Sequence, residues 1–170
     1  MMFELLYPDA YLESAYDVPY EELYERGFRG ILFDIDNTLV PHGAPADDRA
    51  RALFARLKAI GFRCCLISNN KEARVKSFSD EVGCYYVYKA GKPLPGGYLK
   101  GIREMGTDVL HTVFIGDQIF TDVLGAKRAG IYSVLVKPIH PKEEIQIVLK
   151  RYPEKLILHS YAKKQKRKSC

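Results

Sequence analysis

The sequence predicts an α/β protein in three layers, with a central parallel sheet covered by helices on both faces. Three observations carry this. Short apolar runs alternate with stretches of helical periodicity. The runs are apolar throughout rather than at every second residue, as strands buried on both faces are. Polar residues collect just past the carboxyl ends of those runs, where open α/β sheets place their reactive groups.

The elements follow in order. Gly30 to Asp34 (GILFD) is an apolar run ending in an acid. Asp47 to Ile60 is helical, with Ala50, Leu53, Phe54, Leu57 and Ile60 on one face. Asp47 and Asp48 suit the start of that helix and Gly61 its end. Phe62 to Ile67 is a second strand, closed by Ser68-Asn69-Asn70. Lys71 to Val82 is a helix ended by Gly83, and Cys84 to Val87 a third strand. Pro93 and Pro95 mark a loop, and a helix follows Gly96-Gly97 to about Met105. Thr112 to Ile115 is a fourth strand, ending at Gly116-Asp117. Asp122 to Ala129 is a helix and Ser133 to Val136 a fifth strand. A last helix follows Pro141, and Pro153 is expected to interrupt or end it. The resulting division is a leader over 1–27 that packs on the core through its tyrosines, a main α/β domain over 28–152, and a basic tail over 153–170.

With 170 residues, 47% of them hydrophobic, the chain can bury one ordinary core. No apolar run approaches the roughly 20 residues of a membrane span. Met1 to Tyr7 holds Glu4 and no basic stretch, so no secretory signal is expected. Cys64 and Cys65 are adjacent in a strand and point to opposite faces, so reduced cytoplasmic thiols are expected rather than a disulfide or zinc site. The net charge of +5 resides in Lys163, Lys164, Lys166, Arg167 and Lys168; without them basic and acidic residues balance at 21 each. That argues against a broad nucleic-acid surface, and no DNA partner is expected. It leaves open a tail that touches anionic lipid or RNA, or simply a solubilising terminus. The histidines, including His42 just past the Asp34 turn, show no metal-ligand pattern.

Four groups of residues could carry chemistry. Asp34-Ile35-Asp36-Asn37-Thr38 sends two carboxylates out of an apolar strand. Such a pair can share a magnesium ion, or divide nucleophilic and acid/base work. Alone it reads equally well as a solvated acidic turn. Ser68, with the backbone N–H groups of the next turn, can hold a phosphate oxygen, or merely cap a helix. Lys92 in Ala-Gly-Lys-Pro is a compact charge suited to phosphate, yet most loop lysines are only solvated. Asp117 sits where a carboxylate could reach a metal held by Asp34, and Asp122 could order Lys92 or simply favour a helix start.

The four groups stand in one order: DxDxT, Ser, Lys, GDxxxTD. This set resembles the haloacid dehalogenase superfamily over Gly30 to Val136. The resemblance implies a Rossmann-like fold and a phosphatase using magnesium. Asp34 would be the nucleophile and a metal ligand. Asp36 would be the general acid/base, its carbonyl also touching the metal. Lys92 would be catalytic and, with Ser68 and Asn69, would bind the phosphoryl group. Asp117 would complete the metal site, and Thr38 and Asp122 would support it. The gaps from Asp34 to Ser68 and from Ser68 to Lys92 leave no room for a sizeable cap domain, which implies a capless member with an open site. The leader LYPDAYLESAYDVPYEELYERGFRGILFDIDNTL and the run GDQIFTDVLGAKRAGIYSVLVKPI are similar to the YqeG family. That family is itself similar to phosphatidylglycerophosphate phosphatases. The resemblance thus implies a phospholipid phosphate ester as substrate, in the cytoplasm or at the inner face of the membrane. A soluble nucleotide or sugar phosphate is the alternative substrate. A non-catalytic protein binding RNA or a ribosomal partner is the alternative of another class.

Overall fold

The computed structural model describes residues 2–140 and 145–168, with side chains described over 3–140 and 152–168. Six parallel strands form one sheet: β1 (Ala10–Leu12), β2 (Gly30–Phe33), β3 (Arg63–Ile67), β4 (Tyr85–Val87), β5 (Thr112–Gly116) and β6 (Tyr132–Val136). Their spatial order is β1-β6-β5-β2-β3-β4. The chain runs outward from β2 to β4, then crosses back to β5 on the other side of β2. The strand order therefore reverses between β2 and β5, the switch point at which such sheets bind ligands. Phe33 pairs with Leu66 on one side and Ile115 on the other, so three neighbouring strands end level.

Alternation along β2 separates the two layers of core. Ile31 and Phe33 face one layer with Leu53, Phe54 and Leu57 of α2 (Asp48–Ile60) and Val75 and Phe78 of α3 (Glu72–Val82). Leu32 faces the other, with Tyr98, Ile102 and Met105 of α4 (Gly96–Met105) and Ala126 of α5 (Leu124–Arg128). Cys64 and Cys65 divide between these layers as expected. The α2 boundaries follow from their caps: Asp47 accepts from the Ala50 N–H, and Gly61 stops the helix at φ 117°. Helix α4 lies tight on the sheet because Gly101 has no Cβ; one there would fall 2.7 Å from Ile67 Cδ1 and 2.9 Å from Leu32 Cδ2.

Both ends of the chain pack onto the body. In the leader Tyr20 is buried, and Tyr24 meets the Phe62 ring edge-on at 5.3 Å. The leader is also part of the sheet itself. Its Ala10–Leu12 is edge strand β1, paired with Val134–Val136, and α1 spans Tyr20–Glu25. At the other end, α6 runs from Ile145 to Lys168 straight across Pro153. A boundary at 152/153 thus falls inside a helix. Proline removes one N–H from a helix but does not end it where packing holds the flanking turns. Glu154 and Ile157, just beyond the proline, are buried against the body. The basic residues lie on the last turns of this helix. No described helix is long and apolar enough to cross a membrane. Pro141 and Cys170 lie outside the described residues.

Candidate active site

The strand ends bring the expected residues together. Asp34 follows β2, Asp117 follows β5 and Ser68 follows β3. The Asp34 N–H donates to the Ile115 carbonyl at 3.0 Å, extending the ladder by one residue and fixing where the carboxylate emerges. The chain then turns sharply: Asn37 adopts φ 61°, and its N–H donates to the Val40 carbonyl. This turn packs Thr38 inward, where its hydroxyl donates to Asp117 Oδ1 at 3.0 Å. That bond fixes the orientation of the Asp117 carboxylate.

Lys92 is the hub. Its Nζ donates to Asp34 Oδ1 at 2.9 Å and to Asp122 Oδ1 at 2.7 Å, with all three side chains buried. The other oxygen of Asp122 accepts from the Asp117 and Gln118 N–H groups. Asp122 therefore ties the lysine to the loop that carries Asp117. Gly116 permits this closeness: a Cβ there would stand 2.5 Å from Asp122 Oδ2. Burial pushes the Asp34 carboxyl up to about 6, against the opposing pull of the Lys92 ammonium. Burial disfavours the charge on Lys92 too, but Asp122 and Asp34 outweigh it and hold its proton above the ordinary lysine range.

Ligand oxygens of Asp34, Asp117 and Asp122 all lie within 4.8 Å of one another. Three buried carboxylates against the lysine ammonium make a hard-oxygen cluster rich in negative charge. Those donors fit a divalent oxygen-seeking cation. Asp122 stands with Asp34 and Asp117, which the resemblance implies as metal ligands together with the Asp36 backbone carbonyl. The Asp36 carboxylate turns the other way, accepting from the Gly43 N–H at 2.8 Å, Arg74 Nη2 at 2.9 Å and Asn70 Nδ2 at 3.4 Å. Burial raises the Asp36 carboxyl, but the Gly43 N–H and then Arg74 outweigh it and hold it below the usual carboxylate range.

The Asn69 side chain is committed to the backbone of Lys92: Nδ2 donates to the Lys92 carbonyl at 3.1 Å, and Oδ1 accepts the Lys92 N–H at 2.8 Å. Ser68 Oγ accepts from the Asn70 N–H at 3.1 Å, which orders the turn beside Asp34.

Three comparisons bear on this site. The protein-family model for haloacid dehalogenase-like hydrolases matches residues 43–130. The "Probable phosphatase YqeG" of Bacillus subtilis (strain 168) is 35% identical, over 96% of each chain. The chain belongs to the haloacid dehalogenase-like hydrolase family. The family-model match holds Ser68, Lys92, Asp117 and Asp122 but starts past the Asp34 turn; the Bacillus relative spans nearly all of both chains. A more distant relative is "Phosphatidylglycerophosphate phosphatase 1, chloroplastic/mitochondrial" of Arabidopsis thaliana, 24% identical over 85% of this chain and 44% of its own. Among solved structures, the 3-deoxy-D-manno-octulosonate 8-phosphate phosphatase of Moraxella catarrhalis, in complex with a magnesium ion, a phosphate ion and a KDO molecule, aligns with a TM-score of 0.53. It shares 16% identity over 71% of this chain and 75% of that one. That likeness supports the shared fold. As a member of this hydrolase family the chain is an enzyme, as the sequence predicts.

Sequence reasoning missed Arg74. A signal was present: it lies in the first turn of α3, where the helix dipole disfavours a cation. An arginine at that position needs a compensating acid, and Asp36 supplies it. It also missed Glu154, whose Oε1 accepts the Ile119 N–H at 3.0 Å. No local signal marks that contact.

Proposed function

We propose that this chain is a phosphomonoester hydrolase that works through an aspartyl-phosphate on Asp34 and acts on phosphatidylglycerophosphate. The observation that carries the reading is the buried Lys92 ammonium held between Asp34 and Asp122. A carboxylate with an ammonium 2.9 Å away can meet a phosphate dianion, because the lysine offsets charge that would otherwise repel it. Asp34 attacks phosphorus and the ester oxygen leaves. Asp36, two residues on, delivers a proton to that oxygen; water then attacks the phosphorus as Asp36 takes its proton, and the bond to Asp34 breaks to release phosphate. Ser68 and the N–H groups of its turn cradle the phosphoryl oxygens, with Lys92 on the same side. Asn69 contributes by fixing Lys92. Asp34, Asp117 and the Asp36 carbonyl would hold a magnesium ion, with Asp122 supporting that shell. Once bound, the ion would neutralise charge on the phosphoryl oxygens.

Three observations support the lipid substrate. The Arabidopsis relative is named for it. The segment from Asp34 to Asp47 holds no separate domain, leaving an uncapped site suited to a substrate presented at a surface. The lysines and arginine on the last turns of α6 supply charge for an anionic membrane.

The test is phosphate release with magnesium from phosphatidylglycerophosphate in mixed micelles, beside a panel of soluble nucleotide and sugar phosphates. Wild type and Asp34→Asn are compared. Release from the lipid that vanishes in Asp34→Asn is the expected result. Release only from soluble esters would overturn the lipid and keep the mechanism. Folded, metal-binding protein silent on every ester would overturn both and turn attention to RNA binding by the α6 terminus.

A further inference from the structure

The site holds two cations in contrasting settings. Lys92 is buried and bonded to two carboxylates. Arg74 is partly open, with a side-chain exposure of 19%, beside Asp36 at 16%. Its Nη2 donates to Asp36 Oδ1, while its buried Nε has no hydrogen-bond partner. The guanidinium carries five donors in a planar fork that matches oxyanions. Much of that capacity is unspent here. The position is also costly, since a cation in the first turn of a helix opposes the dipole.

The two cations pair with different acids. Lys92 lies on Asp34, the acid that would receive the phosphoryl group. Arg74 lies on Asp36, the acid that would protonate the departing alcohol. A proton donor must lie within hydrogen-bond reach of the oxygen it serves. Arg74 is therefore on the leaving-group side of the site, and Lys92 on the phosphoryl side. A neutral alcohol would give the spare donors nothing to bind. An alcohol with its own oxyanion would give them a charged acceptor.

We infer that Arg74 is a specificity-determining residue that receives a second oxyanion carried by the leaving alcohol, so that the preferred substrates are phosphomonoesters with a further phosphodiester or carboxylate group. This rests on the phosphatase reading above, and it extends that reading from the phosphoryl group to its alcohol. Asp36 holds the arginine in place until that anion arrives. A charge-assisted, bidentate-capable contact of this kind is worth on the order of tenfold to a hundredfold in affinity.

The test uses three water-soluble esters, so that membrane attachment plays no part. Glycerol 3-phosphate has a neutral alcohol. 3-Phosphoglycerate adds a carboxylate. Deacylated phosphatidylglycerophosphate adds a phosphodiester. The reading is the ratio of kcat/KM for each anionic ester to that for glycerol 3-phosphate, in wild type, Arg74→Ala and Arg74→Lys. Wild type is expected to favour at least one anionic ester, and which one identifies the oxyanion. Arg74→Ala should lower that ratio about tenfold or more, chiefly through KM, even though both rates fall as Asp36 loses its partner. Arg74→Lys should keep part of the ratio, because it keeps charge and loses the fork. A ratio within twofold of wild type in Arg74→Ala overturns the inference and leaves Arg74 as a positioning residue for Asp36. Should Arg74→Ala fail to fold by circular dichroism, an unchanged ratio in Arg74→Lys overturns it instead. Wild type with no preference for either anionic ester also overturns it while keeping the phosphatase reading. Wild type that hydrolyses none of these esters and no phosphatidylglycerophosphate defeats that reading itself.

Discussion

The side chain of Asn69 grips the backbone of Lys92 at both ends, donating to its carbonyl and accepting its N–H across 23 positions of sequence. The most important cation of the site is thus located by an amide at the end of β3 rather than by its own loop. Removing that clasp should shift the ammonium without removing it. Asn69→Ala is expected to lower kcat on the order of tenfold, since small misplacements of a catalytic group are costly. Steady-state kinetics on any accepted ester will show it. An unchanged kcat would mean that the loop positions Lys92 unaided.

Gly116 has no room for a side chain, because a Cβ would meet Asp122 Oδ2 at 2.5 Å. Its conformation does not demand glycine; the close approach does. Gly116→Ala must push Asp122 away from Lys92 and from the Asp117 N–H. Overpacking of this kind costs about 1–3 kcal/mol. Urea denaturation should show that loss, with hydrolysis falling much further than stability. A variant with wild-type stability and activity would show that Asp122 can move freely.

The pH behaviour follows from Asp34. Its folded carboxyl titrates near 6, above the ordinary 3.8, because burial outweighs Lys92. A raised folded value favours the protonated form, so this contribution to stability is present below about 3.8 and lost as pH rises through about 6. A cation bound to the carboxylate would reverse that loss, since it binds only the ionised form. Thermal melts in chelator and in magnesium should therefore coincide at pH 5 and separate above pH 6. Equal stabilisation by magnesium at both pH values would exclude Asp34 as the linked group.

Glu154 reaches across from α6 to accept the Ile119 N–H, just past the loop that bears Asp117. Cutting the chain after residue 152 removes that acceptor and the buried Ile157. The loss should be about 2–4 kcal/mol, from an orphaned buried donor and an exposed apolar contact. Cutting after residue 162, which removes the basic turns alone, should leave the melting temperature within a few degrees. Equal stability of the two truncations would return residues 153–170 to the standing of a dispensable tail.

The sequence by itself determined the alternation of strands and helices, because burial on both faces of a parallel sheet writes continuous apolar runs and helix packing writes a 3.6-residue period. It also determined which residues stand at the strand ends, since Asp34, Ser68 and Asp117 directly follow such runs. Only the tertiary structure decided what those residues touch. Strand β1 is three residues long, too short to show a pattern, and its partner lies 124 positions away. The Asn69 amide meets the Lys92 backbone across 23 positions. Arg74 meets Asp36 across 38 positions, and Glu154 meets Ile119 across 35. Periodicity reports the environment of an element, which is local. Hydrogen bonds between distant loops depend on how the layers dock, and no short stretch of chain carries that information.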